Sequence, residues 1–353
     1  MIRAALPVWT KATRTAPRSG LVRSVLFVVR KDNSFPSCRF RAYQLQAPLE
    51  RLGVEVGFLR AEASLAPQRQ LRFLQTLARE ARRHDAVIYQ KMLHPLRIRY
   101  AARHNPNLFY DFDDALYLTS SERKFARTIL AAPRIIAGNG LLAERARRYQ
   151  AAVDIVPTTV VVPPAVEPAS HHGPLRLSWM GSACNLHYLE PVRSALQSLR
   201  ARGLDLRLHI LTEQPELARP EPGVEVERWS FAAEERAMRV SEIGLMPLVD
   251  DEWSRGKCAC KALQYLSHGR PVIASPVGVN RTILEGKPYA LLPESSADWE
   301  PAIASLAARR AELDALGREG HSMVQASYSV DVWAQRLRAI LSGRPASPCP
   351  PSA

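Results

Sequence analysis

Fully apolar runs alternate with amphipathic stretches along most of the chain. Ser24–Val29, SVLFVV, is apolar on both faces and reads as a buried strand. A polar loop over 30–37 follows, then an amphipathic helix to about Leu52 that Gly53 ends. Residues 54–59 read as the next strand, and 67–84 as a basic helix with apolar Leu71, Phe73, Leu74 and Leu77. Further strands are predicted over 85–90, 108–111, 134–137 and 154–157, with helices between them. A proline-rich stretch, 158–174, has no helical period and reads as a linker. The rhythm then restarts, with strands over 175–180, 206–211 and 224–228 and helices over about 186–202 and 231–240. Strand–helix alternation at this spacing predicts an α/β chain of doubly wound parallel sheets. The restart predicts two such Rossmann-like domains facing a central cleft.

The densest stretch is 241–280, SEIGLMPLVDDEWSRGKCACKALQYLSHGRPVIASPVGVN. It reads as a strand over 243–248, an acidic loop, a helix starting at Arg255-Gly256-Lys257 and ending at His268-Gly269, and a strand over 271–274. That is a βαβ unit, and ligands of such sheets sit beyond the carboxyl ends of the strands. Residues 247–257 therefore fall at the mouth of a site. Gly256 lets backbone approach a ligand, and Lys257 and Lys261, at i and i+4, share a face of the expected helix. With the free N–H groups of a helix start they make a phosphate cradle; an ordinary solvated lysine pair is the equal alternative. Beyond it, 289–292 reads as a short strand, 298–326 as helix, and 328–341 as an amphipathic helix with Val330, Trp333, Leu337, Ile340 and Leu341 on its apolar side.

At 353 residues the chain exceeds one typical core, which supports the two-domain division. The expected boundaries are a flexible basic arm over 1–23, a first domain over 24–165, a linker over 166–174 and a second domain over 175–328. A returning helix over 329–342 and a disordered tail over 343–353 complete the chain. No run approaches the ~18 apolar residues of a spanning helix, and the N-terminus lacks a secretory pattern. Five scattered cysteines (Cys38, Cys184, Cys258, Cys260, Cys349) suit reduced core positions in a cytoplasmic protein. Adjacent His171 and His172, in a Pro/Gly segment, read as solvated loop before metal ligands.

Charge divides unevenly: residues 1–165 hold 27 Lys+Arg against 12 Asp+Glu, and the remainder 21 against 22. A basic first half points to an anionic partner: nucleic acid, anionic lipid headgroups or a phosphorylated substrate. No RNP, zinc or helix-turn-helix signature accompanies the charge, which sets nucleic acid behind the others. Arg69, Arg72, Arg79, Arg82 and Arg83 on the 67–84 helix suit docking on an anionic bilayer, peripheral on the inner face of the membrane. A merely solvated basic face is the alternative.

LSWMGSACNLHYLE (177–190), the 243–280 stretch and DFDDALY (111–117) resemble the retaining family 4 (group 1) glycosyltransferases, which have the two-Rossmann GT-B fold. The resemblance covers most of 24–342, and its G-x-P-V-I-A-S-x-V-G run (269–278) is the specific part. It implies a nucleotide-sugar co-substrate on the second domain, no cofactor, no bound metal, and a glycan, lipid-linked or other cell-envelope acceptor on the first. Two features depart from the family. Its glutamate pair falls on Gly256 and Gln264, and the Arg and Lys that follow the first strand of the second domain are replaced by Ser182-Ala183-Cys184-Asn185. Diphosphate charge then falls to Arg255, Lys257 and Lys261, which would stabilise the leaving group. Backbone N–H groups at Gly181-Ser182 would assist.

Gln264 would hydrogen-bond a ribose or sugar hydroxyl. Arg39 and Arg41 would reach the phosphates or an anionic acceptor, with helix-surface charge as the alternative. Asp113 and Asp114 would serve the acceptor hydroxyl or else cap a loop, and His94 is a further candidate. A metal pair from Asp111 and Asp113 stands behind these readings. Trp229 and Pro247 would line the pocket of the base, Trp229 by stacking unless it is a core aromatic. A non-catalytic nucleotide-sugar or glycan binding protein on the same fold is the competing function.

Overall fold

The computed structural model describes residues 20–61, 66–169 and 171–344. The expected basic arm and proline-rich tail fall almost wholly outside the described residues.

Two six-stranded parallel sheets organise the chain. The first contains β1 (Ser24–Val29), β2 (Glu55–Arg60), β3 (Ala86–Gln90), β4 (Leu108–Phe112), β5 (Arg134–Ala137) and β6 (Val153–Ile155), in the order β2-β1-β3-β4-β5-β6. Because side chains alternate, each strand feeds two cores. Leu26, Val28, Val87, Tyr89 and Tyr110 face α3 (Pro67–Arg83), α4 (Pro95–His104), α5 (Glu122–Ala131) and α6 (Gly140–Arg147). Val25, Phe27, Val29, Ile88 and Phe109 face α1 (Pro36–Arg41) and α2 (Gln46–Arg51).

The second sheet contains β7 (Leu175–Met180), β8 (Leu206–Thr212), β9 (Val224–Arg228), β10 (Ile243–Met246), β11 (Val272–Ala274) and β12 (Ala290–Leu291), in the order β12-β11-β10-β7-β8-β9. Counted from its own first strand this is 3-2-1-4-5-6, the dinucleotide-fold order, whose direction reverses between β7 and β10. Its helices are α7 (Glu190–Ala201), α8 (Phe231–Val240), α9 (Glu252–Arg255), α10 (Cys260–Ser267), α11 (Val279–Leu284), α12 (Trp299–Ala308) and α13 (Leu313–Tyr328). The last helix, α14 (Val330–Leu341), buries Trp333, Leu337 and Ile340 in the core of the first sheet, against β1 and β3 residues.

Several expected helices are broken. The stretch expected as one helix to Leu52 divides at Ala42 into α1, a 3-10 turn and α2. The one expected from about Leu186 opens as a 3-10 helix over Ala183–Leu189 before α7. Residues 298–326 divide into α12 and α13 around a 3-10 turn, Arg310–Glu312.

The break that matters most is at Arg255–Lys257, where no helix starts. Asp251 accepts from Ser254 N–H at 2.6 Å and caps the four-residue α9, which ends at Arg255. Ala259 then takes a left-handed φ of 53° before α10 begins at Cys260. Lys257 therefore lies outside the helix that carries Lys261, and the two do not share a helical face.

Candidate active site

Loops at the carboxyl ends of both sheets meet each other. Asn139, which caps α6 by accepting from Leu142 N–H, donates its Nδ2 across the gap to the Gly256 carbonyl at 3.0 Å. A Cβ added at Gly256 would lie 2.9 Å from Cβ of Ala115, and one at Gly138 would lie 2.6 Å from Cys258 Sγ. The missing side chain at Gly256 thus admits the other domain, where a ligand had been expected. Cys258 Sγ also reaches the Asp113 carbonyl at 3.4 Å, and burial pushes its thiol well up.

On the first domain, β1 and β3 flank the point where strand order reverses. Lys91 follows β3 with a left-handed φ of 59°. Its ammonium lies 2.9 Å from Asp113, pairs with Asp114, and donates to Ser37 Oγ at 2.6 Å. Burial opposes the charge on Lys91, but Asp113 and Asp114 outweigh it and hold the group protonated. Burial raises the Asp114 carboxyl, against the pull of Lys91. The two acids proposed to serve an acceptor hydroxyl therefore share one lysine. Arg41 is committed elsewhere: it pairs with Asp111 and donates to the Val156 and Pro157 carbonyls at 2.6 and 2.9 Å, all in the interior. It ties α1 to β4 and the end of β6, and its guanidinium is not offered to a ligand. With Asp111 held by Arg41 and Asp113 by Lys91, the two acids do not converge as a metal pair. Among the described residues no cluster of His, Cys, Asp or Glu is placed to hold a metal ion. His94 stands immediately before α4 without a side-chain capping bond, and burial, with Arg97, Lys124 and Arg30, lowers it, so the ring is neutral at neutral pH.

On the second domain the expected cations separate. Arg255 forms a two-pronged pair with Asp250 at 2.6 and 3.0 Å on the exposed side of its loop. Lys257 lies over the Trp253 ring, 5.5 Å from its centroid. Lys261 lies 5.8 Å from the Phe40 ring of the first domain and donates to Gln264 Oε1 at 3.0 Å. Pro247 is buried at the end of β10. Gly181 and Ser182 lead out of β7, and the next amide, Ala183 N–H, is taken by both oxygens of Glu213 at 3.2 Å. A carboxylate of the chain itself already occupies that anion position.

Glu234 and Lys91 are the residues that sequence reasoning passed over. Glu234, in the first turn of α8, accepts from Arg39 Nη2 at 2.9 Å, Trp229 Nε1 at 2.7 Å and Gln264 Nε2 at 2.9 Å. Burial opposes its charge, but Lys261 and Arg39 hold its carboxyl below the usual range. Trp229 is thereby fixed edge-on to Phe231, 5.1 Å between centroids. An acid in a first helical turn reads as an ordinary complement to the helix dipole, and a lysine after a strand carries no pattern at all. The one available signal was their position, since both follow the carboxyl end of a strand.

Residues 176–309 match the family described as "Glycosyl transferases group 1". Among solved structures the chain is similar to Anabaena HepE in complex with UDP and glucose, with a TM-score of 0.69 and 12% identity over 91% of this chain and 99% of that one. Sucrose-phosphate synthase from Thermosynechococcus elongatus aligns at 0.64 and 13% over 90% of this chain and 98% of that one. The lipopolysaccharide outer core galactosyltransferase WaaB aligns at 0.60 and 13%, over 91% and 99%. No curated protein matches the chain by sequence. At these identities the likeness is one of fold: two facing parallel sheets with flanking helices, the GT-B arrangement.

Proposed function

We propose that this chain is a glycosyltransferase that moves a sugar from a nucleoside-diphosphate donor on the second domain to a cell-envelope glycan or lipid-linked acceptor on the first. The observation that carries the reading is the group 1 glycosyltransferase match over 176–309, which spans the loops that bring Lys257, Lys261 and Gln264 to the gap between the sheets. The departing diphosphate gains negative charge as the glycosidic bond breaks, so fixed cations there lower the barrier. Lys261 and Arg39 lie closest to that task, and Lys257 stands at the edge of the same loop. The residues favour charge neutralisation by Lys and Arg, without a bound metal. A retaining course follows from the family resemblance alone. His94, neutral and at the mouth of the first sheet, and the Asp113–Asp114 pair are the groups to orient an acceptor hydroxyl. The basic face of α3 would hold the enzyme to the anionic surface where such acceptors reside.

A thermal-shift screen of nucleotide-sugars tests the first half, because a ligand of the folded state raises its melting temperature. One donor should stabilise the protein, and turnover of that donor should fall about 100-fold in Lys261→Ala. A panel without any shift would sink the donor reading. A donor that binds but is neither transferred nor hydrolysed would leave a binding protein on the same fold, a reading favoured by the absence of glutamate at 256 and 264.

A further inference from the structure

Arg39 is held in an unusual way for a residue at a domain gap. Its guanidinium carbon lies 4.4 Å from the Phe40 ring centroid and 5.4 Å from those of Trp229 and Phe231, and its side chain is only 4% exposed. Nη2 donates to Glu234, but the buried Nε donates to nothing. Lys261 comes to the same carboxylate from the other side through Gln264, whose amide accepts from Lys261 and donates to Glu234. One carboxylate on α8 thus answers a guanidinium of the first domain and an ammonium of the second. Buried donors in native proteins are nearly always satisfied, so the orphaned Nε is a donor that an acceptor oxygen entering in place of Glu234 would satisfy. Arginine and lysine converging from two sides suit the several oxygens of a phosphate group.

We propose that Arg39 and Lys261 form a diphosphate subsite shared between the domains, and that Glu234 is its resident counter-anion, displaced from Arg39 when the diphosphate enters. This rests on the transferase reading and names the part of the donor that the domains grip together. The exchange keeps the guanidinium charge-paired throughout: Glu234 is released to Trp229 and Gln264, and Arg39 closes on the incoming oxygens with Nη2 and Nε. The donor competes with an internal anion, and the same anion recaptures Arg39 as product leaves. No covalent bond changes in the exchange.

Calorimetric titration with inorganic pyrophosphate tests the idea in the full chain. Glu234→Gln keeps the shape and removes the competing charge, so pyrophosphate should bind about tenfold tighter or more. Arg39→Lys and Lys261→Met should each weaken it by about tenfold. Unchanged or weaker binding in a folded Glu234→Gln protein overturns the proposal. If that variant does not fold, the other two decide, and wild-type affinity in both overturns it. The two readings fail separately. Tighter pyrophosphate in Glu234→Gln with no sugar transfer by the wild type keeps the subsite and removes the transferase. Transfer by the wild type with no tightening does the reverse.

Discussion

His171 is where a single side chain gives the chain a pH dependence. Its two ring nitrogens lie 2.9 Å from Glu242 and 3.1 Å from Asp314, and Arg310 grips the same Glu242 with two contacts of 2.7 Å. Burial disfavours the imidazolium, but the two carboxylates outweigh it and raise the ring above 6.5. A group raised on folding adds stability that is complete below its unfolded value and is lost as pH climbs through the folded one. Wild type should therefore exceed His171→Gln in urea stability at about pH 5.5, and the two should converge by about pH 8.5. A gap that persists or widens on the alkaline side would contradict the ion pairs. The adjacent-histidine pattern was legible, but its partners come from residues 70 and more positions away. The same limit applies to Arg39 and Arg41, two positions apart on α1. One was committed to Asp111 and the other to Glu234 by contacts that no local spacing encodes.

At the scale of elements, strands were the most legible. β1, β5 and β7 coincide with the expected runs, because a strand buried on both faces is a short apolar segment bounded by breakers, and β9 coincides through its alternation of Val and Glu. Helix starts were less so, since tertiary hydrogen bonds set them: the α10 start moved to Cys260, after Asn139 takes the Gly256 and Lys257 carbonyls. Helix contacts were not legible at all. Gly317 of α13 crosses the end of α10 so closely that an added Cβ would lie 1.9 Å from the Gly269 carbonyl oxygen. Gly269 itself has a φ of 69° and ends the helix in a conformation that resists adjustment. Alanine has the better helix propensity, by about 1 kcal/mol, yet Gly317→Ala should lose more than about 2 kcal/mol because neither backbone can give way. Urea unfolding decides between these signs, and a stabilised Gly317→Ala would show that the crossing is looser than described.

Over the whole molecule, the two-sheet plan followed from the restart of the strand–helix rhythm, and the charge imbalance from simple counting. Where the charge stands did not follow. The right-handed crossovers place α3, α4 and α5 side by side on one face of the first sheet. That face exposes Arg69, Arg72, Arg82, Arg103, Arg123 and Arg127 together with Leu71, 59% exposed, and Leu96, 79% exposed. Its acids are few and partly spent within it: Glu80 lies against Arg79, and Glu122 against Arg145 and Tyr149. Among the described residues no helix is long and apolar enough to cross a membrane, so any attachment through this face would be to a surface. Cations near an anionic surface contribute about 1 kcal/mol each and are screened by salt, while exposed leucines add an apolar part that salt does not weaken. Vesicles containing anionic lipid should therefore sediment the protein at low salt, release most of it at high salt, and retain less when Leu71 and Leu96 are both replaced by serine. An Arg69→Glu/Arg72→Glu pair should abolish capture while leaving the donor-induced rise in melting temperature intact, since α3 packs on the opposite face of the first sheet from α1, which carries Arg39, and the other donor loops lie on the second sheet. Capture indifferent to lipid charge, or a lost thermal shift in that variant, would break the link between the basic half and a membrane surface.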